Sequence, residues 1–157
     1  MEENKTPDLR NFTQVWQRVT APDDGAAQHT QERARLGAFM AREHQRRQHY
    51  AYLAAGGGGS QTLRRMAAAA GERLRLLQLE HYLLCGDSCP LPPAEEKLPR
   101  GLSGLRRLYW DEEQSQRDYL TAAATSTGTC QALYARLAED CRLRAKQLRE
   151  LMGKALG

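Results

Sequence analysis

Two segments of this chain interrupt an apolar helical stripe in the same way: Glu43-His44-Gln45 leading to Tyr50, and Glu112-Glu113-Gln114 leading to Tyr119. Both fit Glu-x-Gln-x4-Tyr, and in both the Glu falls where a hydrophobic residue would face a helix-bundle core. A buried carboxylate costs several kcal/mol unless it meets a metal, a counter-charge or a proton. Two of them at matched positions demand a shared central site, and therefore a fold that brings two helices face to face at one level.

The surrounding pattern is helical. Leu36, Phe39, Met40, Glu43, Tyr50 and Leu53 recur at three- and four-residue steps and predict helix A from about Thr30 to Ala55, stopped by Gly56 to Gly59. Ser60 is the expected N-cap of helix B, which runs to about Cys85 on a stripe of Leu63, Met66, Ala67, Ala70, Arg73, Leu77, His81 and Leu84 and ends at Gly86-Asp87. Helix C is predicted from Leu102 to Thr125, with Leu105, Leu108, Tyr109, Glu112, Tyr119 and Ala123 inward. Helix D is predicted from Cys130 to Leu156, with Leu133, Leu137, Cys141, Arg144, Leu148 and Met152 inward.

Two Phe and two Trp in 157 residues, against abundant Leu, Ala, Arg, Glu and Gln, fit an all-α chain. Residues 1–30 read as a leader with one short helix, Phe12 to Val19, anchored by Trp16 and followed by the breaker-rich Ala21-Pro22-Asp23-Asp24-Gly25. Residues 31–157 read as a single domain. Gly56 to Ser60 reads as a natural loop. It carries no phosphate-binding signature, because no strand precedes it and no Lys-Ser/Thr follows.

Connection lengths choose the topology. Helices A and B, and C and D, are joined by about five residues each, which makes each pair an antiparallel hairpin. The segment from Gly86 to Gly101 holds Pro90, Pro92, Pro93 and Pro99. Extended, it reaches roughly 50 Å, more than the roughly 38 Å length of helix B, so it can cross the whole bundle. An internal repeat agrees. Glu43 maps onto Glu112, and Ala70-x-x-Arg73-x3-Leu77 onto Cys141-x-x-Arg144-x3-Leu148, at nearly the same offset. A pseudo-twofold axis between the hairpins would bring Glu43, Glu112, Arg73 and Arg144 to one level.

At these residues the chain resembles the ferritin-like superfamily, and most of all its bacterial rubrerythrin-type members, over about residues 31–157. The matching residues are Glu43 with Tyr50 and Leu53-Ala54-Ala55, Glu112 with Tyr119 and Ala122-Ala123-Ala124, and the stretches Leu77 to Gly86 and Leu137 to Asp140. The resemblance implies a four-helix bundle of two hairpins with a long B–C crossover. It also implies a di-iron site completed by Glu-x-x-His on helices B and D. Here those positions hold Ala70 and Arg73, and Cys141 and Arg144. No Glu-x-x-His occurs at any of the four histidines, His29, His44, His49 and His81.

The expectation is therefore a buried cluster of Glu43, Arg73, Glu112 and Arg144 in the place of the metal, with Tyr50, Tyr119 and Cys141 around it and no cofactor. Competing readings stay open: an Arg beside an apolar stripe can snorkel to the surface, and Arg46 and Arg47 lie one turn from Glu43. The leading function is a non-catalytic, structural or protein-interaction bundle. The alternative is a divergent iron- or manganese-binding, peroxide-reducing protein that keeps Glu43 and Glu112 as ligands, helped by Glu72, Glu139 or Asp140.

His81, Cys85 and Cys89 form a separate, weaker zinc pattern. Lys plus Arg number 23 against 19 Asp plus Glu, interleaved along the helices, so nucleic acid is not an expected partner. A homodimer through helix faces or the leader is. No signal-peptide pattern opens the chain and no run of about 18 apolar residues occurs, so a cytoplasmic protein with free thiols is expected.

Overall fold

The structure, a computed structural model, describes residues 24–57, 59–93 and 97–157. They form four α-helices and no strand: α1 (Asp24–Ala55), α2 (Ser60–Cys85), α3 (Gly101–Thr125) and α4 (Gly128–Leu156). The leader helix expected over Phe12 to Val19 lies outside the described residues. Among those residues no helix is long and apolar enough to cross a membrane, and Cys85, Cys89, Cys130 and Cys141 are unpaired thiols.

The dense interfaces are α1 with α2 and α3 with α4. Side-chain pairs fix the directions. His29 Nε2 sits 2.9 Å from the Leu84 carbonyl and Arg73 reaches Glu43, so α1 and α2 are antiparallel. Arg35 bonds Ser126 at 2.8 Å and Arg42 bonds Asp118 at 2.6 Å, which sets α3 antiparallel to α1. Helices α2 and α3 therefore point the same way, and the chain between them must travel the full length of the bundle. It does so along α1: Arg33 bonds Asp87, Cys89 lies against Gly37, His49 Nε2 sits 3.1 Å from the Pro99 carbonyl, and Arg100 meets the Tyr52 hydroxyl.

Helices α3 and α4 begin one and two residues before the expected starts, at Gly101 and Gly128, and the larger differences are at α1 and at the cap of α2. Helix α1 starts at Asp24, not near Thr30, so Asp24 and Gly25 belong to the helix and not to a breaker-rich leader. Ala26-Ala27 favour helix. The Thr30 hydroxyl, at the expected helix start, donates to the Ala26 carbonyl one turn back. Ser60 is likewise not a cap. The N-cap of α2 is Gly59, whose left-handed backbone at φ 71° turns the chain into the helix with no side-chain hydrogen bond. Gly86 closes α2 as expected, also left-handed, its N–H donating to the Tyr82 carbonyl at 2.8 Å.

Gly104 shows how tightly the crossover meets α3. A Cβ there would lie 2.5 Å from the Pro99 carbonyl oxygen and 2.8 Å from a Leu53 methyl. Gly104→Ala should destabilise by about 1–3 kcal/mol in urea unfolding, overpacking outweighing the better helix propensity of Ala. A variant as stable as the parent would show that Pro99 is not packed on α3.

The core is apolar toward both ends and polar in the middle. Leu36, Phe39, Leu77, Leu137 and Tyr134 cluster near one end, and Leu53, Leu63, Leu108 and Leu148 near the other. Between them lie the buried charged residues Glu43, Arg46, Arg73, Glu112 and Arg144.

Candidate functional site

Glu43 on α1 and Glu112 on α3 are both fully buried and face the same space. Each helix also supplies a tyrosine to the other's carboxylate. The Tyr50 hydroxyl donates to Glu112 Oε1 at 2.7 Å, and the Tyr119 hydroxyl to Glu43 Oε1 at 2.9 Å. From the partner helices, Arg73 Nε donates to Glu43 Oε2 at 3.2 Å and Arg144 Nε to Glu112 Oε1 at 3.0 Å. The repeat in the sequence thus becomes a near-twofold arrangement of two Glu–Arg–Tyr units. Both arginines turn inward, at 2% and 6% exposure.

Arg46 breaks the symmetry. Its Nη1 donates to Glu43 Oε1 at 3.0 Å and to Glu112 Oε2 at 3.3 Å, while Nη2 donates to the Ser115 hydroxyl. The intrahelical contact with Glu43 is one that the i,i+3 spacing allows; the reach across to Glu112 is not visible in that spacing. A signal was present. The offset that maps Glu43 onto Glu112 also maps Arg46 onto Ser115. The repeat therefore pairs a long side chain with a short one, and the short one makes room on the axis. Two arginines at this level would crowd each other and repel.

The protonation states follow from these contacts. Burial pushes the Glu43 carboxyl up, but Arg46 and Arg73, with the Tyr119 hydroxyl, outweigh it and hold it below the usual carboxylate range. For Glu112, burial together with the nearby Glu43 charge prevails over Arg46 and Arg73, and its pKa is raised. Glu112 is therefore the member of the pair that takes the first proton on acidification. Burial opposes the charge on Arg46, yet Glu112 and Glu43 raise its pKa further. Burial and the facing carboxylates raise both tyrosines, which stay protonated donors. Cys141 lies 3.9 Å from Arg46 Nη1 and 3.8 Å from Arg144 Nη2, but burial and Glu112 push its thiol up, so it is a packed thiol and not a thiolate nucleophile.

The charge tally changes with Arg46. Two Glu and two Arg would be neutral; three buried guanidiniums against two carboxylates leave one positive charge in the core. Arg46 Nε and Arg73 Nη2 are moreover buried without a hydrogen-bond partner.

Of the carboxylates named from the alternative register, Asp140 is half-buried and lines a pocket with Arg144, and the other two lie elsewhere. Glu72 and Glu139 have exposed side chains paired with Arg75 and Arg142 on their own helices. At the far end of α2 the structure groups His81, Cys85 and Asp87, their ligand atoms within 4.8 Å of one another. Cys89, expected beside His81 and Cys85, packs instead toward Gly37 on α1. The chain turns at Gly86 immediately after Cys85, which brings Asp87 back over the helix end and carries Cys89 past it.

Comparison with protein-family models, curated proteins and solved structures gave no match to this chain.

Proposed function

We propose that this chain is a ferritin-like bundle of the rubrerythrin type in which an arginine–glutamate lattice stands where relatives hold a di-metal centre, and that it serves a structural or protein-associating role, not a catalytic one. One observation carries the reading: Arg46 Nη1 lies within hydrogen-bond distance of both buried carboxylates. A permanently charged guanidinium on that axis takes the place a bridging cation would need.

The donor set points the same way. A carboxylate-bridged di-iron centre draws about six ligands from four helices. Here α2 and α4 send Arg73 and Arg144 inward, and all four oxygens of Glu43 and Glu112 already accept from guanidinium or hydroxyl groups. The residues present do not fit a di-metal centre. An association role draws support from α2, where Leu79, Tyr82 and Leu83 are exposed at 53%, 60% and 66% and share one helix face by their spacing.

Metal analysis of protein purified without chelator tests the proposal. It should give below roughly 0.2 iron or manganese per chain, against about two for a filled centre. A value near two, lost together in Glu43→Ala and Glu112→Ala, would establish the divergent metalloprotein instead.

A further inference from the structure

A cavity of about 140 Å³ lies beside the buried lattice, between α1, the crossover and α3. Its lining is unusually cationic: Arg42, Arg46 and Arg107, with His49, Gln45 and one carboxylate, Asp111. Arg42 and Arg46 carry three buried nitrogens without a hydrogen-bond partner, Nε and Nη2 of Arg42 and Nε of Arg46. Each forfeits its hydration where it stands, closed to water, and a small shift of either side chain would present one to an ion in the cavity. The same Arg46 brings the surplus positive charge of the lattice to the cavity wall.

We infer that this cavity is a binding site for one small oxyanion of the phosphate class. The volume, on the order of four or five waters, suits a single phosphate-sized ion. Arg42 is held ready for it. Its Nη1 is tied to Asp118 at 2.6 Å, and its guanidinium carbon lies 5.0 Å from the Phe39 ring centre and 5.3 Å from that of Tyr119. The group is thus anchored beside the cavity by Asp118 and the two rings. Asp111, half-exposed and 4.0 Å from Arg107 Nε, adds selectivity among oxyanions through its remaining acceptor capacity. A carboxylate in the lining repels a fully deprotonated anion but accepts a hydrogen bond from one that keeps a proton, so hydrogen phosphate is favoured over sulfate. The site does not depend on the loss of a metal centre, and its bound anion would offset the single positive charge that the lattice leaves over.

Titration calorimetry with inorganic phosphate at fixed ionic strength, on full-length protein whose metal content is measured on the same sample, decides the matter. One phosphate per chain is expected, with a rise in Tm of roughly 5–10 °C at free phosphate about a hundredfold above Kd. Sulfate should bind at least about fivefold more weakly. Arg42→Gln and the more exposed Arg107→Gln should each weaken phosphate about tenfold or more. Either variant suffices if the other does not fold. The inference is overturned if chloride at equal ionic strength raises Tm as much as phosphate, if folded Arg42→Gln and Arg107→Gln bind phosphate as the parent does, if sulfate matches phosphate, or if a chelator abolishes the signal.

Discussion

Replacing Arg46 with methionine should lower stability at neutral pH by about 3–5 kcal/mol, a fall in Tm of roughly 10–15 °C for a domain of this size. The variant is instructive because it does not leave the core charged. Arg73 and Arg144 still balance Glu43 and Glu112 in number. What disappears is the one donor that touches both carboxylates, at 3.0 and 3.3 Å, and with it the screening of one acid from the other. Two fully buried carboxylates facing one space without a cation between them raise each other's pKa. The sign of the pH dependence follows. A carboxyl whose folded pKa rises above its unfolded value destabilises the fold at high pH, and that penalty is relieved as pH falls and a proton takes the place of the guanidinium. The difference between Arg46→Met and the parent should therefore shrink on going from pH 7 to pH 5. Urea unfolding at the two pH values measures it. A difference that is the same at both, or below about 0.5 kcal/mol at pH 7, would mean that Arg46 is not the bridge.

Arg46 also marks the boundary of what the sequence disclosed. The helical stripes, the crossover and the level of the two glutamates could be read because each is a matter of spacing: apolar residues at three and four steps, prolines that prevent a helix, and a repeat at constant offset. The inward turn of Arg73 and Arg144 is favoured for a related reason, since two arginines at matched core positions each find a glutamate on the neighbouring helix of their own hairpin, although spacing leaves snorkelling to the surface open. Spacing alone could not decide between Arg46 neutralising Glu43 within its own helix and Arg46 spanning the core. At i,i+3 it is near Glu43 either way; the outcome depends on the room left by Ser115 on α3, a tertiary fact. The start of α1 was hidden because Asp24-Gly25 has turn chemistry locally, whereas docking against α2, through the contact of His29 with the Leu84 carbonyl, accompanies six further helical residues. The cationic cavity was hidden as well. Arg42, Arg107 and Asp111 lie on helix faces that the stripes leave to solvent, and the crossover at Leu98 helps to enclose them.

The two glutamates, matched in motif, should not respond alike to substitution. Every oxygen of Glu43 accepts from a guanidinium: Oε1 from Arg46, together with the Tyr119 hydroxyl, and Oε2 from Arg73. A glutamine at 43 must turn its NH2 toward one of those cations, and neither can release a proton to accommodate it. Glu112 is different. Its Oε1 takes Arg144 and Tyr50 at 3.0 and 2.7 Å, but Oε2 has only the long 3.3 Å contact with Arg46, so a glutamine can keep its carbonyl at Oε1 and sacrifice the weaker bond. The titration directions agree, since Glu112 already holds its proton more tightly than a free carboxyl and Glu43 less tightly. Glu43→Gln should therefore cost about 4–5 kcal/mol and Glu112→Gln about 1–3 kcal/mol. The same asymmetry governs the parent in acid. A raised folded pKa means that protonating Glu112 does not weaken the fold, whereas the stability supplied by Glu43 is present above its unfolded pKa and is lost as pH falls through the lower folded value. Loss of stability from this pair should accordingly be confined to pH below the ordinary carboxylate range, and Glu112→Gln should leave that acid limb in place. Equal destabilisation by the two glutamine variants, or the reverse order, would show that the pair is symmetric and that Arg46 serves both acids equally.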